Sequence, residues 1–210
     1  MKTRSNSRIT SIDLHIDVDR SQSTQKICGP LYIGLVNFIN EQKQLAIEKG
    51  IRTNLTIKLF SERVKNLSGF YNNDITKVPE FTPNLFKPRG GTRLIDTAVE
   101  SLQEQTKRVD NRKEEKVLKI YALITDGLDN SSTRYKKENI VQLLNNYQKE
   151  GHFAYFLGAN QDAIKQGKSY GFDKSHCMTF KTDEKSVYSA MKSISAQVSC
   201  ASVKKNSNLF

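Results

Sequence analysis

Residues Ile9–Ser23 read ITSIDLHIDVD-RSQS. Ile12, Leu14, Ile16 and Val18 alternate with polar residues, a period of two that predicts a strand over Ile9–Asp19 with one apolar face. The strand runs straight into Asp19-Arg20-Ser21-Gln22-Ser23, a short turn dense in side-chain oxygen. Downstream, Leu31, Leu35, Phe38, Ile39 and Ala46 recur at helical spacing and stop at Gly50, a good helix C-cap.

The same alternation of strand and helix continues to the far end. Strands are expected at Leu55–Phe60, at Ile75–Val78 as a short antiparallel edge, and at Val117–Thr125, whose VLKIYALIT is the most apolar and therefore belongs at the centre. Further strands are expected at Phe153–Leu157 and Cys177–Phe180. Between them, Leu94, Ile95, Ala98 and Leu102 mark one helix. Ile140, Leu143, Leu144 and Tyr147 mark another, Ala163–Tyr170 is a short one, and Val187, Met191, Ile194 and Val198 form the stripe of the last. The pattern predicts an α/β fold with a six-stranded, mostly parallel sheet covered by helices on both faces. The domain is expected over residues 9–201, with a flexible basic segment at 1–8 and a flexible tail at 202–210. Polar residues from Asn66 to Asp74 suggest a turn, and the mixed charges of Lys107–Lys119 suggest a solvated connector.

The chain has 210 residues, enough to bury one substantial core. No stretch reaches the ~18 apolar residues of a membrane span. Met1–Thr10 lacks the apolar segment of a secretory signal. Cys28, Cys177 and Cys200 are too far apart for a zinc pattern or a disulfide framework, so a reducing, cytoplasmic setting is expected. The net charge of +11 allows an acidic protein or a nucleic acid as partner, the latter as a secondary role. The positive residues are spread out and form no single basic stripe.

Sheets of this kind bind ligands beyond the carboxyl ends of their strands, near the point where strand order reverses. Three segments fall there: Asp19–Ser23, the Gly90-Gly91-Thr92 opening of a helix, and Thr125-Asp126-Gly127. Asp19, Asp126, Ser21, Ser23 and Thr92 offer two carboxylates and three hydroxyls, hard oxygen donors suited to Mg²⁺ or Mn²⁺. The glycines permit close backbone approach.

This constellation resembles the metal-ion-dependent adhesion site (MIDAS) of von Willebrand factor A-type (VWA) domains, D-x-S-x-S with a distant Thr and a distant Asp. The resemblance extends from about Ile12 to about Ala201, and Phe156–Asp162 (FLGANQD) is similar to a late strand-to-helix junction of bacterial members. It implies that Asp19, Ser21, Ser23, Thr92 and Asp126 hold Mg²⁺ or Mn²⁺, and that an Asp or Glu carboxylate of a partner protein completes the coordination. It also implies that the last helix, Val187–Val198, can move with the site, as in adhesion-type members. Gln22 and Thr24 stand where the family often has Gly and Met.

Asp17-Val18-Asp19-Arg20-Ser21 also resembles the D-x-D-x-[TV] opening of haloacid-dehalogenase-type phosphohydrolases. That reading makes Asp17 the nucleophile and Asp19 the acid/base, with Asp126 and Asp129 as the later acidic pair. Position 21 is Ser rather than Thr or Val, and Gly90-Gly91-Thr92 has no role in it. Other catalysis finds little support. His15, His152 and His176 are scattered, Cys28 has no evident His partner, and there is no P-loop. The residue pattern leaves one puzzle: Asp13, His15 and Asp17 share the second face of a strand that should be apolar on both sides. Lys58 is the expected partner of Asp17.

Overall fold

The alternation of Ile12, Leu14, Ile16 and Val18 becomes a nine-residue strand, β1 (Ser11–Asp19). The structure, a computed structural model, describes residues 9–112, 116–159 and 162–203, with side chains to residue 200. The segments expected to be flexible, 1–8 and most of 202–210, lie outside the described residues. After β1 come α1 (Cys28–Lys49), β2 (Arg52–Phe60), β3 (Val64–Asn66), β4 (Asn73–Asp74) and α2 (Leu94–Asp110). Then follow β5 (Val117–Thr125), α3 (Lys137–Lys149), β6 (Phe153–Ala159), α4 (Ala163–Ser169), β7 (Cys177–Phe180) and α5 (Glu184–Val203).

The strands form one mixed sheet in the order β3-β2-β1-β5-β6-β7, with β4 also on β2. β1 lies parallel between β2 and β5, in a register that sets Asp19 beside Phe60 and Val18 beside Ile124. The chain moves outward from β1 to β2 and then returns to β5 on the other side. The reversal of strand order therefore falls between β1 and β5.

Two expectations about the edge are corrected. The sheet has seven strands rather than six, and Ile75–Lys77 is a 3-10 turn rather than an edge strand. Asp74 explains the second point: its Oδ1 accepts from the Thr76 N–H at 3.0 Å and the Thr76 hydroxyl at 2.8 Å. Such a local bond competes with the ladder and winds the chain. The antiparallel edge is built instead by β3 and β4, at the two ends of the segment read as a turn.

The apolar face of β1 joins Leu55, Ile57 and Leu59 of β2 against α1 and α5. Each fully buried aliphatic side chain there contributes about 1.5–3 kcal/mol. Gly34 lets the two helices meet, because a Cβ at that position would lie 2.5 Å from Val187 Cγ1. Gln42 on α1 donates to Ser195 on α5 at 2.7 Å, and Ser195 donates to Glu41 at 3.0 Å, so a polar pin crosses the same interface. α1 closes at Gly50 with φ 57°, the left-handed cap its sequence predicts.

On the opposite face, Tyr121, Leu123 and Phe156 pack under α2 and α3. The polar side of β1 is buried here as well, and α2 supplies its partners. Asp13 takes a two-pronged bond from Arg108 (2.7 and 3.2 Å) and further bonds from Arg112 and Gln105. Tyr147 of α3 closes the group by donating to Gln105 at 3.0 Å. Asp17 accepts from Ser101 and Tyr121 and lies 3.2 Å from His15 Nε2.

Lys58 does not take the partner expected for it. It pairs with Glu104 at 2.6 Å and reaches Asp17 through the Ser101 hydroxyl. The solvated connector at Lys107–Lys119 is corrected too. α2 runs to Asp110, Arg108 and Arg112 turn inward onto Asp13, and Lys119 is buried in β5. Charged residues enter the core here because each has an opposite charge or hydrogen-bonding group beside it.

Candidate metal centre

At the carboxyl end of β1 the Asp19 side chain is fully buried and doubly held. Oδ1 accepts the Ser21 N–H at 2.7 Å, and Oδ2 accepts the Thr125 hydroxyl at 2.6 Å. The first bond folds the chain back into the 3-10 turn Gln22–Lys26. Thr24 pins that turn by donating its hydroxyl to the Ser21 carbonyl at 2.8 Å. The turn brings Ser21 Oγ and Ser23 Oγ to 3.0 Å from each other. Ser23 Oγ donates to Asp126 Oδ1 at 2.7 Å, which ties the β1 loop to the β5 loop across 103 positions.

Thr92 arrives from the third loop. Its N–H donates to Asn130 Oδ1 at 2.7 Å, and its carbonyl accepts the N–H groups of Asn130 and Ser131. A Cβ placed on Gly127 would lie 3.7 Å from Thr92 Oγ1 and 3.8 Å from Ser23 Oγ, so the three loops converge around Gly127. The fold thus brings Asp19, Ser21, Ser23, Thr92 and Asp126 to one crest of the sheet.

The glycines before Thr92 make this approach possible. Gly90 has φ 67°, and its carbonyl accepts the Gln22 N–H at 2.9 Å. A Cβ on Gly91 would come within 2.3 Å of Ser131 Oγ and 2.8 Å of Asn130 Oδ1, and would displace the side chain that holds Thr92. The start of α2 is locked from the other side: Ile95 N–H donates to Asp129 at 3.0 Å and Asp96 N–H to Ser132 at 2.9 Å.

Burial pushes the Asp19 carboxyl up to about 6, against the pull of the Thr125 and Ser21 bonds, and the nearby Asp126 charge adds to the rise. Burial raises Asp126 as well, while the Ser23 bond opposes it. Two carboxylates crowded at the crest, one of them fully buried, favour a cation between them. Among the described residues no group of three or more His, Cys, Asp or Glu converges. The remaining donors here are hydroxyls, and a set made only of oxygen suits a hard divalent ion.

Sequence reading assigned no role to Thr125 or Asn130, which orient Asp19 and Thr92. A hydroxyl directly before Asp126 at a strand end was the available signal for Thr125; Asn130 had none. The FLGANQD junction is only partly visible. Asp162 caps α4 by accepting from Lys165 N–H at 3.0 Å, and Asn160 and Gln161 lie outside the described residues. Gln166 of α4 donates to the Gly127 carbonyl at 3.1 Å and so buttresses the β5 loop.

The phosphohydrolase reading fails on Asp17. Its carboxylate is 0% exposed and lies below the crest, bonded to Ser101 and Tyr121, where no substrate reaches it. Asp129 is committed to the α2 backbone and to Ser132 rather than paired with Asp126. His15 is buried in mid-strand, away from the crest oxygens.

No family model and no curated protein matches the sequence. Solved structures do match. Proximal thread matrix protein 1 from the mussel byssus, in a form with a zinc-occupied MIDAS motif, superposes with a TM-score of 0.59 at 17% identity, covering 91% of this chain and 46% of that one. Manganese-loaded TRAP protein from Plasmodium vivax gives 0.55 at 19% identity, covering 88% and 73%. A von Willebrand factor type A protein from Catenulispora acidiphila gives 0.55 at 13% identity, covering 91% and 43%. The chain spans about half the length of the mussel chains it matches. The fold of this chain is the VWA fold.

Proposed function

We propose that this chain is a metal-dependent protein-binding module whose centre is the crest formed by Asp19, Ser21, Ser23, Thr92 and Asp126. The observation that carries the reading is the hydrogen-bonded chain that runs from Asp19 through Ser21 and Ser23 to Asp126, with Thr92 Oγ1 and Ser23 Oγ flanking Gly127. The zinc-occupied MIDAS of the mussel protein and the manganese-loaded TRAP protein support a divalent cation on this fold. We assign Mg²⁺ or Mn²⁺ on donor chemistry. Such an ion keeps waters and takes one or two protein carboxylates, and when bound it supplies an electrophilic position for one more oxygen.

The chain's own residues do the rest. Asp19 and Asp126 supply the charge, the hydroxyls fill space without overcharging the site, and Thr125 and Asn130 hold the donors still. An Asp or Glu side chain of a protein partner is the group that would complete the site, giving binding rather than turnover. We place it in a reducing, intracellular setting, where Cys28, Cys177 and Cys200 would stay free thiols.

The test is calorimetric titration of Mg²⁺ and Mn²⁺ into metal-stripped protein, with and without acetate. Binding that disappears in Asp19→Ala supports the reading. An absence of binding at millimolar metal, acetate present, would sink it.

A further inference from the structure

Arg20 follows the first carboxylate of the crest and is only 4% exposed. Its backbone is fully used: the N–H donates to Phe60 O at 2.7 Å, and the carbonyl accepts the Arg89 N–H at 2.8 Å. Its side chain is not. Nε is sealed from solvent and has no hydrogen-bond partner. The other largely buried arginines are paired, Arg93 with Asp96 and Glu100, and Arg108 and Arg112 with Asp13. Arg20 has no acidic partner among the described residues, and the charge that acts on it is a second cation, Arg89.

A buried charge without a counter-charge is costly, and a second like charge makes it worse. Arg89 is exposed, and so are Arg63 and Lys87 nearby in the chain. Glu62 is the acidic residue of this corner, and it spends Oε1 on the Gly91 N–H at 3.1 Å. The corner of the crest at the ends of β1 and β2 is therefore an electropositive step, backed by a guanidinium whose inner Nε has no partner.

We propose that Arg20 and Arg89 form an oxyanion subsite beside the metal centre, which takes a second acidic side chain of the same partner segment. The inference rests on the crest being a protein-docking face, but the subsite itself needs no metal. Guanidinium groups pair with carboxylates through two parallel hydrogen bonds, which suits this role better than an ammonium would. The spacing also fits. The Arg89 N–H bonds the Arg20 carbonyl at 2.8 Å and the neighbouring Gly90 carbonyl accepts from Gln22 at 2.9 Å, so the subsite borders the Asp19–Ser23 loop. An extended partner advances about 3.3–3.6 Å per residue, which places a second Glu two residues from the coordinating one within reach.

Thermal melting in EDTA, with sodium sulfate as probe against sodium chloride at equal ionic strength, reads the subsite alone. Sulfate at about ten times its dissociation constant should raise the wild-type Tm by about 3–6 °C. Arg89→Gln should lose at least half of that shift and Arg20→Gln all of it. An absent wild-type shift, or an equal shift in Arg89→Gln, overturns the subsite. Arg89 is exposed, so that variant decides the matter even where Arg20→Gln does not fold.

Fluorescence anisotropy with two labelled Gly/Ser peptides in Mg²⁺ reads the partner class. One peptide carries a single Glu, the other two Glu two residues apart. The second Glu should tighten wild-type binding about tenfold and leave Arg89→Gln unchanged. A second-Glu gain that persists in EDTA supports the subsite and removes the metal from the reading. A gain equal in wild type and variant overturns the proposal. So does an oligo-deoxythymidine that binds through Arg89 more tightly than the two-Glu peptide, which would assign these arginines to nucleic-acid phosphate.

Discussion

Thr125 Oγ1 lies 2.6 Å from Asp19 Oδ2, a bond that joins the carboxyl ends of the two central strands. The threonine has one proton and gives it to Asp19, and its oxygen accepts the Gly127 N–H at 3.2 Å. One hydroxyl thus sets the orientation of the buried carboxylate and the path of the β5 loop. Thr125→Val should keep the fold, cost about 1 kcal/mol of stability and weaken Mn²⁺ binding up to about tenfold. Thr125→Ser should restore both. Calorimetry and thermal melting of the pair check this; equal metal affinity in wild type and Thr125→Val would remove Thr125 from the site.

Gly127 marks the space between the donors. A Cβ there would sit 3.7 and 3.8 Å from the Thr92 and Ser23 hydroxyls, which is ordinary contact, and the backbone is not left-handed. Gly127→Ala should therefore fold with a Tm close to wild type and lose Mn²⁺ binding by obstruction. Retained affinity would show that the cation does not occupy this space.

Asp19 is held above its usual range, at about 6 against 3.8. In metal-free protein its contribution to stability is greatest below pH 3.8 and falls as pH rises through 6, because the folded state binds the proton more tightly. At pH 7 the charge is a burden that the cation relieves. Asp19→Asn should therefore melt at the same temperature as metal-free wild type or higher, and should lose the Tm gain that wild type shows with Mn²⁺. A variant several degrees less stable would make Asp19 structural.

Asp13 is a structural charge. It accepts from Arg108, Arg112 and Gln105 inside the α2 face. Asp13→Ala would leave two largely buried guanidinium groups without their partner and should cost about 3–5 kcal/mol. The urea midpoint measures it. A change below about 1 kcal/mol would mean that solvent rescues the arginines.

Burial, then Lys119, pushes His152 down to about 4 from 6.5. The unfolded chain then binds the proton more readily, so the stability is present above pH 6.5 and is lost as pH falls through 4. The loss should amount to about 1–3 kcal/mol after allowance for partial exposure. His152→Gln should flatten that part of the pH–stability curve; an unchanged slope between pH 6.5 and 4 would place the effect elsewhere.

Much of this was legible in the chain because it depends on short-range patterns. Alternation over nine residues marks β1, helical spacing ending at Gly50 marks α1, and an apolar run ending in Thr-Asp-Gly marks β5. The edge was misread at Ile75–Val78 because an apolar pair before Pro79 looks like a strand, while one Asp74 side chain captures Thr76 and turns the backbone. The polar face of β1 was legible as an anomaly only. Its resolution needed α2, whose Ser101, Gln105 and Arg108 meet β1 across 84 to 95 positions.

The sequence by itself determined the order of the parallel strands and of the helices, and offered five oxygen donors in the loops beyond the strand ends as candidates, since period and residue chemistry are local properties. Only the tertiary structure decided that Thr125 orients Asp19, that Asn130 positions Thr92, that Lys58 pairs with Glu104, and that Arg20 is buried beside Arg89. The reason is physical. A hydrogen bond or ion pair depends on ångström distances between groups up to about a hundred residues apart, and those distances exist only once the helices have packed onto both faces of the sheet.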